Sequence, residues 1–257
     1  MNRRHLIVNA TAGFATSVLT PLIHAQSEGW ESFVEVQRGD GLLPPERVKL
    51  DPGKIEKLLS AEVRAEFRPR DTSFLTNLLT VAGKHVGNSR DKTRDRIAEY
   101  LDVFELPFAV DGKPTPFCAA GIVYASAQHY VEQYKISSKL SGLRSVLAEI
   151  DRYHFYPSPS VWDMVNVAKG KRKWKAFTPQ ITPKPGWLVV FDWNKRGNAD
   201  HVGIVTEKVG SILNTIEFNT SDDNPSNGGR VARKKRPWDK SLLGFIATDL
   251  RPPFERT

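Results

Sequence analysis

The chain has 257 residues, of which 40% are hydrophobic and 26% are charged. This length suffices for one medium-sized domain plus a short accessory region, and the composition is that of a soluble globular protein. The formal net charge of +8 favours polyanionic surroundings, such as nucleic acid, anionic lipid or an acidic cell wall, without choosing among them. The single cysteine, Cys118, excludes a disulfide within the chain.

The first 25 residues are typical of an export signal. Arg3 and Arg4 precede a weakly apolar, uncharged stretch (6–23), and Ala25 is a small residue before the predicted cleavage point. The arginine pair resembles that of a twin-arginine signal, although Asn2 before the pair is a departure. Export predicts a periplasmic or secreted protein.

The alternative is that this stretch stays in the membrane as an anchor. Asn9, Gly13 and Pro21 make it a poor transmembrane span, so we favour export with removal of residues 1–25. No later segment is long and apolar enough to cross a bilayer, and we therefore expect no stable membrane span after removal of the signal.

The first regular elements are predicted to be helices. Residues 26–70 are mixed in character, and we interpret them as an N-terminal arm or linker with a short helix around 53–68. From residue 71 the apolar spacing predicts a helix capped by Asp71 or Thr72, followed by a second helix over 92–104.

The segment around Cys118 predicts another helix. Pro114 and Pro116 suit a helix entrance, and the run 119–127 is apolar or small all round, as expected of a helix buried on every side. Further along we expect one helix at 138–151 and then a basic patch. The patch consists of Lys169, Lys171, Arg172, Lys173 and Lys175.

The last third of the chain changes its period from helix to strand. Successive strands are predicted within 184–193, 201–209, 211–221, 228–236 and 242–250. Helices first and strands after indicate an α+β domain over 71–250, with N-terminal helices packed on a C-terminal antiparallel β-sheet and a tail at 251–257.

A lone cysteine in an exported chain is buried and inert, paired with another chain, or a working thiol. Cys118 lies at the start of the predicted buried helix. The partial positive charge and free N–H groups of a helix N-terminus stabilise thiolates and can hold an oxyanion. This placement favours a nucleophile, with the backbone N–H of Cys118 as the candidate oxyanion donor.

The hairpin that follows His201 supplies partners for such a nucleophile. If Lys208 to Gly210 form a three-residue turn, His201 faces Glu217 across the ladder, and Asn219 lies on the same side of the sheet. A two-residue turn would break this pairing.

The chemistry then assigns a role to each residue. His201 takes and returns the proton of Cys118, while Glu217 or Asn219 holds the second ring nitrogen.

Four short stretches in this order resemble the CHAP family (cysteine, histidine-dependent amidohydrolases and peptidases), in the papain-like superfamily that includes NlpC-type wall hydrolases. They are PFCAA, a Pro-Gly before an apolar strand, HVGIV and TIEFNTS. The resemblance covers about 71–250 and is weakest across 128–180. It implies a papain-like fold and cleavage of peptidoglycan, as an N-acetylmuramoyl-L-alanine amidase or a stem-peptide endopeptidase. The family's nucleophile, base and two further polar residues map onto Cys118, His201, Glu217 and Asn219.

Two positions depart from the family pattern. Trp187 follows the Pro-Gly where Asp is common, and Gly121 follows the Cys-Ala-Ala step where a larger residue is usual. Neither touches the four site residues, and the insertion at 128–180 is a candidate for shaping the substrate groove.

Other classes of function have weaker support. There is no His-Glu-x-x-His motif and one cysteine cannot build a common zinc site, so we expect no metal and no cofactor. The basic runs 230–236 and 169–175, with Trp174 interleaved in the second, suggest nucleic-acid binding, but there is no recognisable module and export argues against it. A third hypothesis is a catalytically inactive CHAP-like protein that binds peptidoglycan, the expected partner, without cutting it.

Overall fold

The computed structural model describes residues 33–36, 46–49, 74–110, 112–193, 195–221 and 228–249. The predicted signal, the helix around 53–68 and the C-terminal tail lie outside these residues, as do the proposed caps Asp71 and Thr72. None of the helices within the described ranges combines the length and apolarity needed to cross a membrane.

The described helices all lie before residue 171. In chain order they are α1 (Phe74–Lys84), α2 (Arg94–Asp102), α3 (Cys118–Gln133), α4 (Leu140–Ser145), α5 (Leu147–Tyr153) and α6 (Val161–Gly170). The predicted helices that begin near residue 71, at 92–104 and at Cys118 correspond to α1, α2 and α3.

The strands within the described ranges form three sheets. Two short ribbons pair β1 (Phe33–Val36) with β2 (Glu46–Lys49) and β3 (Ala109–Val110) with β4 (Lys113–Pro114). The main sheet contains β5 (Trp174–Ala176), β6 (Leu188–Phe191), β7 (His201–Val209), β8 (Ile212–Thr220), β9 (Arg230–Pro237) and β10 (Leu242–Ile246).

The main sheet has the strand order β5-β10-β6-β7-β8-β9, and every neighbouring pair is antiparallel. Helix α3 packs against β7 and β8 in the middle of this sheet, and α1 and α2 pack against α3. The fold is therefore α+β with helices on an antiparallel sheet, as predicted.

Helix α3 is the centre of the core. Its residues from Cys118 to Ala127 are all buried, which confirms the expectation from their apolar and small side chains. Gly121 faces Phe218 of β8, and a Cβ atom at position 121 would lie 2.2 Å from the Phe218 ring. The larger residue usual in the family has no room here, because the Phe218 ring occupies its space.

The structure corrects the prediction of one helix at 138–151. Two short helices, α4 and α5, meet at Val146, whose φ and ψ of −100° and −1° interrupt the helical path. The Val146 side chain is fully buried, so the core holds this break in place. The apolar spacing alone did not reveal it.

Besides the strands of the two short ribbons, the sequence analysis missed two elements. One is α6, which begins at an N-cap where the Ser160 side chain accepts a hydrogen bond from the backbone N–H of Asp163. The Ser-x-x-Asp spacing was a readable start signal for this helix. The other is β5, a three-residue edge strand that pairs with β10.

The predicted basic patch at 169–175 is not uniformly a surface feature. Lys173 is 1% exposed, and its Nζ donates hydrogen bonds to the carbonyl oxygens of Tyr153 (3.0 Å) and His154 (2.6 Å). Burial, reinforced by the charge of Lys171, lowers the pKa of Lys173 to about 8. Lys173 therefore fastens the end of α5 to the strand region and is withheld from solvent.

Candidate active site

Cys118 is the first residue of α3. Its N-cap position is taken by Phe117, which offers no side-chain acceptor to the free N–H groups, and there is no acidic side chain in the first turn. The partial positive charge of this helix end is thus unopposed by its own residues. Cys118 is 7% exposed, so its thiol sits at the edge of the core.

His201 is the first residue of β7 and approaches Cys118 from the sheet. Its Nε2 lies 3.1 Å from Oε2 of Glu217, and Cys118 is the other polar side chain near enough to raise the pKa of its ring. Because Nε2 is engaged with the carboxylate, Nδ1 is the nitrogen left for the thiol. The sequence-predicted order of thiol, imidazole and carboxylate is therefore present as a continuous chain of contacts.

Opposing influences act on the protonation of His201. Burial disfavours the imidazolium, but the hydrogen bonds and charges of Cys118 and Glu217 outweigh it and raise the pKa of His201 to about 9. The site thus favours a protonated imidazole at neutral pH, the form that stabilises a neighbouring thiolate.

The predicted hairpin register is wrong, although the contact it was meant to explain exists. The turn has two residues, Gly210 and Ser211, and a bulge at Thr206 adds one residue to β7. Glu217 consequently pairs with Gly203 and not with His201. With the two-residue turn alone, Glu217 would point to the opposite face of the sheet, and the bulge restores it to the face that carries His201.

Gly203 lets the Glu217 side chain cross to His201. A Cβ atom at position 203 would lie 2.8 Å from Cγ of Glu217. Since Glu217 reaches His201 diagonally, two residues along the neighbouring strand, its chain must pass over the position directly opposite. Only a residue without a side chain leaves that path open.

Glu217 is fully buried, at 0% exposure, and accepts hydrogen bonds at both oxygens. Oε1 accepts from Thr215 Oγ1 (2.7 Å) and Arg236 Nε (2.8 Å), and Oε2 accepts from Arg236 Nη2 (2.5 Å) as well as facing His201. Burial would raise the pKa of Glu217, but the bonds from Arg236 and His201 reverse this and hold the pKa far below its usual range. The carboxylate is ionised and fixed in orientation.

Arg236 is a site residue that the sequence analysis missed. It belongs to the basic run 230–236, which was weighed there only as a nucleic-acid patch. Alternation along β9 places Arg236 and Ala232 on one face, and Ala232 pairs with Glu217. That alternation was a usable signal, but it required knowing which strand β9 pairs with.

Residues 111–221 match the model of the CHAP domain. The chain contains a CHAP domain. No curated protein and no solved structure gives a match. The matched range holds Cys118, His201, Glu217 and Asn219, whereas Arg236 lies beyond it.

Asn219 occupies a different place in the CHAP domain from Glu217. It has a φ of +53° at a point where the pairing of β8 with β9 shifts register. Its Oδ1 accepts a hydrogen bond of 3.1 Å from Arg90 Nη2, and the same nitrogen donates to the carbonyl oxygen of Thr115. Of the two polar residues expected to hold the His201 ring, Glu217 is the one that contacts it.

Arg90 connects Asn219 to the segment that leads into Cys118. Its guanidinium lies 4.9 Å from the ring centroid of Phe117, the residue before the nucleophile. Burial lowers the pKa of Arg90 to about 10. Through these contacts the end of β8 and the start of α3 are held at a fixed spacing.

The other departure from the family pattern, Trp187, also has a structural explanation. Trp187, where the CHAP family commonly has Asp, is 7% exposed, and its Nε1 donates a hydrogen bond of 2.6 Å to Asp249. Asp249 also holds Lys184 at 2.6 Å. A carboxylate is thus supplied near this point of the CHAP domain from the segment that follows β10.

The remaining described histidines are packed within the helical layer. His85 contacts Gln128 at 2.8 Å, and His154 contacts the hydroxyl of Tyr130 at 2.8 Å. His129 packs edge-on to the ring of Phe74. Within the described ranges, no three or more His, Cys, Asp or Glu side chains are grouped so as to hold a metal ion.

Proposed function

We propose that this protein is a peptidoglycan hydrolase that cleaves an amide bond with Cys118 as nucleophile. The observation that carries the proposal is the buried chain of contacts from Cys118 through His201 to Glu217, set at the N-terminus of α3. CHAP domains are typically cysteine- and histidine-dependent amidohydrolases, which fits this arrangement. The bond is proposed to be that of an N-acetylmuramoyl-L-alanine amidase or a stem-peptide endopeptidase.

The proposed first step forms a thioester. The thiol proton of Cys118 passes to His201, and the thiolate sulfur attacks the amide carbonyl carbon. The oxyanion that develops is stabilised by the backbone N–H of Cys118 and the positive end of α3. His201 then protonates the leaving nitrogen, the C–N bond breaks and the free amine departs.

The proposed second step hydrolyses the thioester. His201, now neutral, takes a proton from water as the water oxygen attacks the thioester carbon. The tetrahedral intermediate collapses with loss of the Cys118 thiolate, and the proton on His201 restores the starting ion pair. Glu217 stays ionised throughout and holds Nε2 of the ring, so that the ring keeps one orientation in both steps.

Purified peptidoglycan clearance tests this function. Wild type is expected to reduce the turbidity of the suspension, and Cys118→Ala to leave it at the rate without enzyme. Lys235→Gln, which removes an exposed charge on β9, is the matched control and should clear at the wild-type rate. Clearance by Cys118→Ala equal to wild type would contradict the proposal, and muropeptide mass spectrometry of the released products identifies the bond.

Reactivity of the thiol separates a working nucleophile from a structural cysteine. Iodoacetamide is expected to modify Cys118 of the native protein near neutral pH, and His201→Ala to slow the reaction because the base is gone. A thiol that reacts only after denaturation would indicate an inert site. If the thiol is reactive but no clearance occurs, a wall-binding protein without hydrolase activity becomes the better description.

Nucleic-acid binding receives less support from the described residues than from the sequence. Arg236 is bound to Glu217, and Lys173 is buried, so both basic runs lose a member to internal contacts. A gel shift that weakens steeply with salt would revive that hypothesis.

Export to the periplasm or beyond the cell is proposed with the function, since peptidoglycan lies there. Replacing Arg3 and Arg4 together by Lys is expected to retain the protein in the cytoplasmic fraction if the twin-arginine route is used. Unchanged fractionation would contradict that route.

A further inference from the structure

The carboxylate of Glu217 faces a charge problem during catalysis. It has no solvent exposure, and a buried carboxylate without a counter-charge is strongly destabilised. His201 is a cation only while it holds the proton of Cys118, and it becomes neutral once that proton goes to the leaving group. A second, permanent partner is therefore needed for the part of the cycle in which the imidazole is neutral.

Arg236 meets this requirement by geometry. Its Nε and Nη2 bind the two oxygens of Glu217 in parallel, at 2.8 and 2.5 Å, the fork arrangement that fixes the plane of a carboxylate. With Thr215 on Oε1, the remaining direction at Oε2 points to Nε2 of His201, at 3.1 Å.

The guanidinium is itself held in place. Its Nη2 also donates to Oγ1 of Thr220 at 3.2 Å, and its Cζ lies 4.8 Å from the ring centroid of Trp193 and 5.6 Å from that of Phe191. Trp193 and Phe191 stack on each other with centroids 4.5 Å apart. Arg236 is thus clamped between an aromatic pair and the carboxylate, and its side chain is 22% exposed.

We propose that Arg236 is a positioning residue of the active site, which holds Glu217 ionised and in one orientation and limits how tightly the carboxylate binds the proton of His201. This inference rests on the proposed roles of Cys118 and His201. Arg236 acts through Glu217, because part of the negative charge of the carboxylate is satisfied by the guanidinium and only the remainder acts on the imidazole. A base that binds its proton too tightly is slow to return it to the leaving group.

The titratable groups that act on His201 come from two elements. Cys118 faces it from α3, and Glu217 faces it from β8. The neighbours from β6 and the residues just after it are the aromatic rings of Phe191 and Trp193, which carry no proton that titrates in this range. A change in the titration of His201 after replacement of Arg236 therefore reports on Glu217.

The test compares Arg236→Gln, Arg236→Lys and the control Lys235→Gln. It follows the rate of Cys118 modification by iodoacetamide from pH 4 to pH 11, with the modified residue identified by mass spectrometry. The upper inflection of this profile marks loss of the His201 proton. Because iodoacetamide is small and neutral, the profile depends neither on peptidoglycan nor on the charge of the surface.

For Arg236→Gln the upper inflection is expected to rise by about one pH unit, since an uncompensated carboxylate next to the imidazole favours its charged form. Turnover on peptidoglycan is expected to fall about 10- to 100-fold as the orientation of Glu217 is lost. For Arg236→Lys, which keeps the charge but not the fork, the inflection should stay within about 0.3 unit of wild type while turnover still falls about tenfold. Lys235→Gln should match wild type in both measurements.

An inflection of Arg236→Gln that stays in place or falls, in a variant with the wild-type circular dichroism spectrum, overturns the inference. If Arg236→Gln does not fold, Arg236→Lys decides, and wild-type turnover in that variant overturns it. If no variant and not even wild type clears peptidoglycan, but the inflection rises as expected, the role of Arg236 stands and the proposed substrate is wrong.

Discussion

Replacing Gly203 by Ala tests whether the path of Glu217 to His201 is as tight as the structure indicates. The new Cβ would lie 2.8 Å from Cγ of Glu217, about 0.6 Å short of the 3.4 Å at which contact becomes ordinary. Glu217 cannot yield sideways, because Arg236 and Thr215 hold its oxygens. If the carboxylate moves away from His201 by that amount, their separation grows from 3.1 Å to about 3.7 Å, beyond hydrogen-bonding distance.

Two effects of Gly203→Ala are expected from this displacement. Overpacking of a buried site should lower the free energy of unfolding by about 1–3 kcal/mol. Turnover, and the rate of Cys118 alkylation at pH 7, should fall about 10- to 100-fold, because the imidazole loses its orienting acceptor. Urea unfolding followed by tryptophan fluorescence measures the first, and mass spectrometry of the alkylated protein measures the second.

The matched control is Gly170→Ala at the end of α6. A Cβ atom there meets no atom within 4 Å, and the backbone has no positive φ, so alkylation should be unchanged and stability should stay the same or rise by up to about 1 kcal/mol. Wild-type alkylation and turnover in a folded Gly203→Ala variant would refute the reasoning, since Glu217 would then reach His201 by another path.

Three further expectations concern stability and can be measured by urea unfolding. Gly121→Ala places a Cβ 2.2 Å from the Phe218 ring and should lower the free energy of unfolding by about 1–3 kcal/mol. The double variant with Phe218→Leu should recover part of this loss. Additive losses from the two substitutions would contradict the contact. Asn219→Gly should be more stable than Asn219→Ala by about 1 kcal/mol. Both variants lose the hydrogen bond to Arg90, but only glycine adopts a φ of +53° without cost. Equal stabilities would argue against that backbone conformation. Folding raises the pKa of His201 from 6.5 to about 9, so the contribution of its protonated ring to the free energy of unfolding is full below pH 6.5 and is lost as the pH rises from 6.5 to about 9. The stability difference between wild type and His201→Gln should therefore shrink over this window. A difference that grows with pH would contradict the raised pKa.

Much of the fold follows from periodicity. The run of apolar and small residues after Cys118 predicts a buried helix, which the structure has, and the stretches from residue 184 onward alternate and end at turn residues, as strands do. The break in the helix at Val146 was not predicted, because a buried valine fits the apolar pattern equally well within one helix and at the junction of two. The burial of Lys173 was not predicted, because its amine donates to backbone carbonyl oxygens, and a pattern of side chains does not indicate such acceptors.

The proximity of three candidate site residues was predictable from the sequence, and the geometry that brings them together was less so. Cys118, His201 and Glu217 are brought together as expected, but the register depends on a bulge at Thr206. The residue types around Thr206 gave no signal that predicts this bulge. Arg236 could not be assigned from sequence, because its partner is chosen by the pairing of β8 with β9 and a lysine- and arginine-rich strand reads as a solvated surface.

The bulge at Thr206 makes the hairpin tolerant of one kind of length change and intolerant of another. Deletion of Thr206 removes the bulge and leaves Glu217 paired with Gly203, on the face of His201, because every other residue of the two strands keeps its partner. A slip of the pairing by one residue, with no bulge to absorb it, moves Glu217 to the far side of the sheet and separates it from His201. Related hairpins are therefore free to lose the bulge together with its extra residue, but not to shift the pairing of the two strands by one residue.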